Sequence, residues 1–363
     1  DAMTNNGDNV AVGHNALGTC NANEHYNVAV GFGAGSSVRH DDADENVFIG
    51  YNAGIGGSGQ LSKAVAVGAN ALNSTAGNAN IGNVAVGFNA LTTCTTGTEN
   101  VAVGYLAGED LESATRTTLV GYGAGKAAAG ALNLGLTCFG YNAGTAAQIA
   151  SGSDSSYNTL IGYEAGTSVT TGFQNTLIGA AAGASGVNFA TGSLCVLVGH
   201  AADASAADGV NQIAIGHNTD CTGDNDVALG NTSIDSIKGQ VSFGTYSDIR
   251  IKKDIQDTDI GLDFINKLKP RKFKRISPRD YPSEIQTIKE KENGTLKYPN
   301  AIIDGMIAQE VKETMDSMGI SFSGWHENDN TKQELQYATF VMPLIKAVQE
   351  LSQQVEDLES KLK

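Results

Sequence analysis

The chain has 363 residues, of which 45 are Gly and only 5 Pro, with 17% charged side chains and a formal net charge of −16. So much Gly with so little Pro excludes collagen and Pro/Gly-rich disorder, and favours a β architecture whose turns need positive φ or close backbone approach. The acidic balance repels DNA and anionic membrane, which argues against nucleic-acid binding, and no apolar run nears the ~20 residues needed for membrane insertion.

Charge is spread unevenly: 19 acidic and 5 basic residues precede Ser247, a balance near −14, whereas 20 acidic and 18 basic residues follow. The five cysteines, Cys20, Cys94, Cys138, Cys195 and Cys221, are odd in number, far apart and without CxxC spacing. They read as small buried hydrophobes, with no disulfide framework, metal or cofactor expected. The chain starts without Met and enters a repeat almost at once, so an attachment segment is expected upstream.

The repeat is the phrase Asn-Val-Ala-Val-Gly-x-x-Ala-Leu/Gly, which recurs with variations from Gly13 to Gly230. Its glycines mostly lie 17 to 22 residues apart and close to 14 at the end. Each unit predicts a short β-branched strand, a turn at the glycine, a second short apolar step and a polar loop. One such coil cannot bury its own apolar face, so coils must stack into a solenoid. A core with so few large side chains also predicts association of several chains.

Within that frame, Gly31-x-Gly33-x-Gly35 and Gly121-x-Gly123-x-Gly125-Lys126 read as turns, because neither has the strand–loop–helix context of a phosphate loop. His14, His200 and His217 follow the repeat glycine, where other units carry Tyr, Phe or Ala. They either cap or stack on a neighbouring coil, or meet on a threefold axis as ion ligands. Asn27, Asn46, Asn83, Asn100, Asn158 and Asn175 precede the strand and suit a turn or an Asn ladder. No carboxylate pair recurs in a form that suggests glycosidase chemistry.

The repeat unit resembles the head repeats of trimeric autotransporter adhesins and the matching arrays of phage tail fibres, over roughly residues 9 to 232. That resemblance implies a left-handed parallel β-roll with three chains side by side. The units here are longer than the minimal repeat, so inserts such as Arg39 to Glu45 and Thr145 to Ser156 are expected to protrude and to be receptor contacts.

Near Tyr246 Gly becomes scarce and Lys/Arg abundant. Helices are predicted over Gly261–Leu268, ending at Pro270, and from Met306 to Val311. Four blocks occur in order: Ser247-Asp-x-Arg-x-Lys252, the helix with Leu268-Lys269-Pro270, Gly305-x-Ile-Ala-Gln-Glu-Val311, and Tyr337 leading into a long terminal helix. This tail resembles the intramolecular chaperone auto-processing domain of phage endosialidases and tail spikes, over residues 247 to 363. The resemblance implies self-cleavage between Ser247 and Asp248, with Ser247 as nucleophile and Lys252 as its base. Arg250 and Lys253 are placed to raise the local positive potential, although Arg250 has the alternative of holding Asp248. Without the other three blocks, Ser247-Asp248 reads as a cap on a basic strand.

The terminal heptad of Leu344, Val348, Leu351, Val355, Leu358 and Leu362 predicts a left-handed coiled coil, or one helix packing within its own chain. The whole chain is therefore expected to be mainly β. A trimeric left-handed parallel β-roll or solenoid would fill residues 1–240. A small α+β chaperone domain would fill 241–363, ending in a coiled-coil helix over 344–363. The expected partners are two further copies in a homotrimer, a host cell-surface receptor (glycan or protein), and other virion tail proteins through the upstream part. The expected location is the virion; the alternative is a bacterial surface adhesin with the same repeats. A polysaccharide-degrading tailspike is disfavoured by the missing carboxylates.

Overall fold

The computed structural model describes residues 8–20, 23–57, 59–74, 80–127, 135–146, 157–241, 243–286, 290–291, 294–296, 298–328 and 331–362. The chain divides into two compact units, Asp1–Asn231 and Thr232–Lys363.

The first unit is a parallel β-solenoid. Thirteen three-residue strands, from Val10–Val12 to Val227–Leu229, stack in sequence order into one sheet. Their register keeps equivalent repeat positions in line, as in Val84 with Val101, Ala85 with Ala102 and Val86 with Val103. Alternation along a strand sends the middle residue inward. Ala29, Phe48, Ala66, Ala85, Ala102, Leu119, Leu160, Leu177 and Leu197 are all fully buried.

The core follows a size rule that explains why the second apolar step is sometimes Ala-Leu and sometimes Ala-Gly. Where the strand centre is Ala66 or Ala85, the step across the core ends in Leu72 or Leu91, both fully buried. With Phe48, Leu119, Leu160 or Leu177 at the centre the step ends in Gly. It does so too beside Ala29 and Ala102, because Gly35 faces Leu17 and Phe48, and Gly108 faces Leu91 and Leu119, of the coils on either side. A Cβ on Gly125 would stand 2.7 Å from Leu119 Cδ2, and one on Gly166 would stand 2.8 Å from Leu160 Cδ2. A bulky and a minimal residue thus share a nearly constant volume.

Two interactions hold coil on coil. At the repeat glycine the backbone takes φ near +136°, as at Gly50, where a Cβ would lie 2.6 Å from the carbonyl oxygen of Gly68. Only glycine permits that approach. The asparagines supply the second interaction. Asn100 Oδ1 accepts from the Thr117 amide at 3.0 Å, while its Nδ2 donates to the Ala114 carbonyl at 2.7 Å. Asn158 does the same to Asn175 N (2.9 Å) and the Gly172 carbonyl (2.8 Å). Each side chain pins both ends of a turn in the next coil, so the residue is a staple between coils, and the ladder expectation holds over a local turn.

The Arg39–Glu45 insert stands clear only in part, with Arg39 and Glu45 exposed at its ends. Asp41 and Asp42 are exposed, but Ala43 is fully buried and its carbonyl accepts from Asn27 Nδ2 at 2.9 Å. Most of the 145–156 insert, residues 147–156, lies outside the described residues. Cys94, Cys138, Cys195 and Cys221 are buried and unpaired. Burial pushes the Cys94 thiol up to about 11 and the Cys221 thiol up to about 12.

The second unit is α+β. Helix α1 (Leu262–Lys267) stops short of Pro270. An antiparallel pair, Arg271–Phe273 with Ile303–Gly305, precedes α2 (Ala308–Met318), which runs past the expected block and ends on Gly319 at φ 63°. A second pair, Trp325–Glu327 with Gln333–Leu335, leads through a 3-10 turn at Tyr337–Phe340 into α3 (Val341–Leu362). Phe264, Val311, Met315, Phe322 and Phe340 form the core, with Phe322 edge-on to Phe340 at 4.7 Å. Glu350 on α3 accepts from the Leu262 amide at 2.8 Å and so caps α1. Among the described residues no helix is long and apolar enough to cross a membrane.

Asn100→Ala should leave the Thr117 amide and the Ala114 carbonyl buried without partners, costing on the order of 1–3 kcal/mol for each group. Denaturant unfolding of the full chain measures it. Thr96→Ala, at an exposed position of the same region, should stay within about 0.5 kcal/mol of the parent.

Candidate functional site

Residues 243–259 are exposed throughout. Within this stretch Asp248 turns the chain. Its backbone is extended (φ −67°, ψ 137°), its carboxylate accepts from the Arg250 amide at 2.8 Å, and a 3-10 turn follows over Ile249–Ile251. The turn closes with Lys252 N donating to the Ile249 carbonyl at 3.1 Å. Because the chain reverses within five residues, Lys252 returns to the residue before the cap: Lys252 Nζ donates to Ser247 Oγ at 2.7 Å. The two residues singled out as nucleophile and base therefore meet directly.

Arg250 is engaged elsewhere. Its guanidinium lies along the Asp248 carboxylate, with Nε at 3.0 and 3.1 Å from the two oxygens and Nη2 at 2.6 Å from Oδ2. That bond, helped by the Arg250 amide, holds the Asp248 carboxyl below the usual carboxylate range. Of the two roles open to Arg250 in the sequence, the geometry shows it holding Asp248 and fixing the turn. Lys253 is exposed beside them. The side chains thus form a compact Ser–Lys pair braced by an Asp–Arg pair, all in contact with solvent. A lysine ammonium in water is a donor; to take a proton it must be desolvated or lie near other cations.

Large apolar side chains flank the pair in the open: Val241 (86% exposed), Phe243 (92%), Tyr246 (93%), Ile249 (71%) and Ile251 (66%). Such a run is unusual on an isolated soluble surface.

Two contacts that the sequence did not reveal tie the quoted blocks together. The Tyr337 phenol oxygen accepts from the Met306 amide at 2.8 Å, joining the fourth block to the third. Arg271 and Glu310 form an ion pair between the first strand after Pro270 and α2. The heptad positions of α3 are open, Leu344 at 47%, Val348 at 62%, Leu351 at 50% and Leu358 at 60%, while Pro343 and Ala347 are its buried residues. The helix therefore packs within its chain by one face and presents the heptad seam on another.

In the solenoid, the histidines stack on neighbouring coils. His14 lies on Phe32 at 5.0 Å and His200 on His217 at 5.2 Å. Among the described residues no group of three or more His, Cys, Asp or Glu comes together as a metal site.

No curated protein and no solved structure matches the chain. Residues 247–320, which open on the Ser247–Lys252 pair and contain α1, both strands of the first antiparallel pair and α2, match the family described as the chaperone of endosialidase, so an intramolecular chaperone domain follows the β-solenoid.

Proposed function

We propose that this chain is the distal part of a homotrimeric viral or phage tail fibre, in which residues 1–240 form the shaft or tip used in host-surface attachment. Residues 241–363 then act as an intramolecular chaperone that brings three copies into register and cleaves itself off between Ser247 and Asp248. The single observation that carries this reading is the 2.7 Å contact between Lys252 Nζ and Ser247 Oγ inside the segment that matches the chaperone family. A receptor, glycan or protein, and neighbouring tail proteins complete the proposed partners, with the virion as the location.

In the proposed chemistry, Lys252 as the free amine takes the Ser247 proton. The resulting ammonium returns a proton to the Asp248 nitrogen as the bond between residues 247 and 248 breaks, and water completes the hydrolysis. Attack by Ser247 on its own carbonyl closes a strained small ring, so the peptide must be held in place. Both requirements, a desolvated lysine and a held peptide, are met when other copies cover the apolar run from Val241 to Ile251. Cleavage therefore follows assembly. Stacked, non-local coils fold slowly, which gives a chaperone that aligns three chains a clear physical role.

Intact-mass measurement of wild-type protein after incubation should give two fragments meeting at 247/248. Ser247→Ala should give an uncut trimer, and Lys252→Ala should slow cutting by about 10²–10⁴-fold. Deleting 248–363 from the gene should yield misassembled shaft. Persistence of full-length wild-type chains after prolonged incubation would remove the protease and leave the chaperone.

The exposed seam of α3 supports a place for this helix in the trimer contact. Light scattering on the Ser247→Ala background should show a trimer that the further pair Leu351→Glu and Leu358→Glu converts to smaller species; an unchanged trimer mass would take the helix out of the interface.

A further inference from the structure

The outward face of the solenoid sheet carries no charge along its whole length. The first and third residues of all thirteen strands point away from the core, and every one of them is Val, Ile, Leu, Phe or Thr. Many are open to solvent in the single chain: Val12 at 58%, Ile49 at 41%, Phe139 at 55%, Ile178 at 36%, Ile215 at 44% and Val227 at 58%. Beside this band runs a ladder of rings on the residue after the repeat glycine. Phe88, Tyr105, Tyr122, Tyr141 and Tyr163 stack coil upon coil at 5.1–5.2 Å with interplanar angles of 7–13°. These rings are 43–54% exposed. Together, band and ladder form an apolar surface far longer than the single patches that soluble monomers carry.

Two observations select the occupant. The chain up to Ser247 carries 19 acidic against 5 basic residues, so copies of it repel one another wherever charges face. Among the described residues the acidic side chains, including Glu99, Glu109 and Glu112, all lie off the strands, with Glu164 reaching Tyr163 of the ladder, so the strand band is where like-charged copies approach without that penalty. The second observation is period. The face repeats once per coil in register over thirteen rungs, and only a chain with the same rung spacing fits it from end to end; a second copy has that spacing by construction.

We propose that this sheet face, with its ring ladder, is the surface through which copies of the shaft pack on one another. It rests on the homotrimer reading above and names the surface that reading requires. The consequence for attachment is that a receptor meets the loop sides of the coils, where the charged and polar residues lie.

The experiment uses the full chain with Ser247→Ala, so that the tail stays attached, and introduces Phe139→Cys or Glu112→Cys singly. The native thiols are poor competitors: four are buried, and burial with the nearby Glu24 pushes that of Cys20 up to about 12. A bulky maleimide should label Phe139→Cys more than about tenfold more slowly than Glu112→Cys in the assembled protein. The two rates should converge once Leu351→Glu and Leu358→Glu dissociate it. Ile178→Cys, on the same face, serves if circular dichroism shows that Phe139→Cys has lost the fold. Equal rates in a particle of trimer mass would overturn the face assignment and leave the trimer standing. Equal rates in a particle of monomer mass would overturn both.

Discussion

The approach of one coil's backbone to the next at the repeat glycine is the constraint from which the shaft follows. With φ near +136° at Gly50 and its equivalents, the chain turns away from the strand while the next coil's carbonyl sits where a side chain would be. This closeness lets three-residue strands, too short to persist alone, align into one sheet. It also brings the asparagine side chains within reach of two groups in the neighbouring coil, and it sets the ring spacing from Phe88 to Tyr163 at 5.1–5.2 Å. Backbone geometry comes first; staples, core and surface ladder are its results.

The C-terminal unit is organised on a different principle. Its core is a small cluster of rings around Phe264, and its elements are joined by single polar contacts across long sequence distances, such as Glu350 with Leu262 and Tyr337 with Met306. Residues 243–259 belong to neither core. Their turn is defined locally, by the Asp248 cap and its bond to Arg250, so the Ser–Lys pair is already formed in one chain. What one chain lacks is cover for the pair. Under the proposed function, local geometry supplies the reacting groups and association supplies the dry, held environment.

The repeat period made the solenoid legible in the sequence, because stacked coils place equivalent residues in line and the glycines mark the line. Asn27, Asn46 and Asn100 were readable as a turn or a ladder, and their burial decides for the ladder, since a buried amide that recurs once per coil pairs along the stack. The size rule was less legible: the Ala-Leu and Ala-Gly variants were visible, but their partners lie across the core and in the coils on either side, a relation no local pattern states. At the site, the spacing of Ser247 and Lys252 pointed to the pair, whereas the engagement of Arg250 with Asp248 needed coordinates, because both of its roles suit the same spacing. The core rings Phe322 and Phe340 sit in segments without periodicity and gave no signal. The sequence predicts that the whole Arg39–Glu45 insert protrudes, and only the structure shows Ala43 held by Asn27.

The pairing of a bulky strand centre with a glycine across the core has an implication for how such shafts change. Leu119 faces Gly125 of its own coil, but it also fills the space that Gly108 leaves in the coil before it, so volume is balanced between adjacent coils as well as within one. A genetic exchange that swaps a run of neighbouring coils carries the matched residues together and preserves the fit everywhere except at its two joints. An exchange of a lone coil puts large or minimal residues against unmatched neighbours, creating a clash or a void. The heritable module is thus a block of neighbouring coils, and shaft length is free to drift by such blocks while the loops diversify independently.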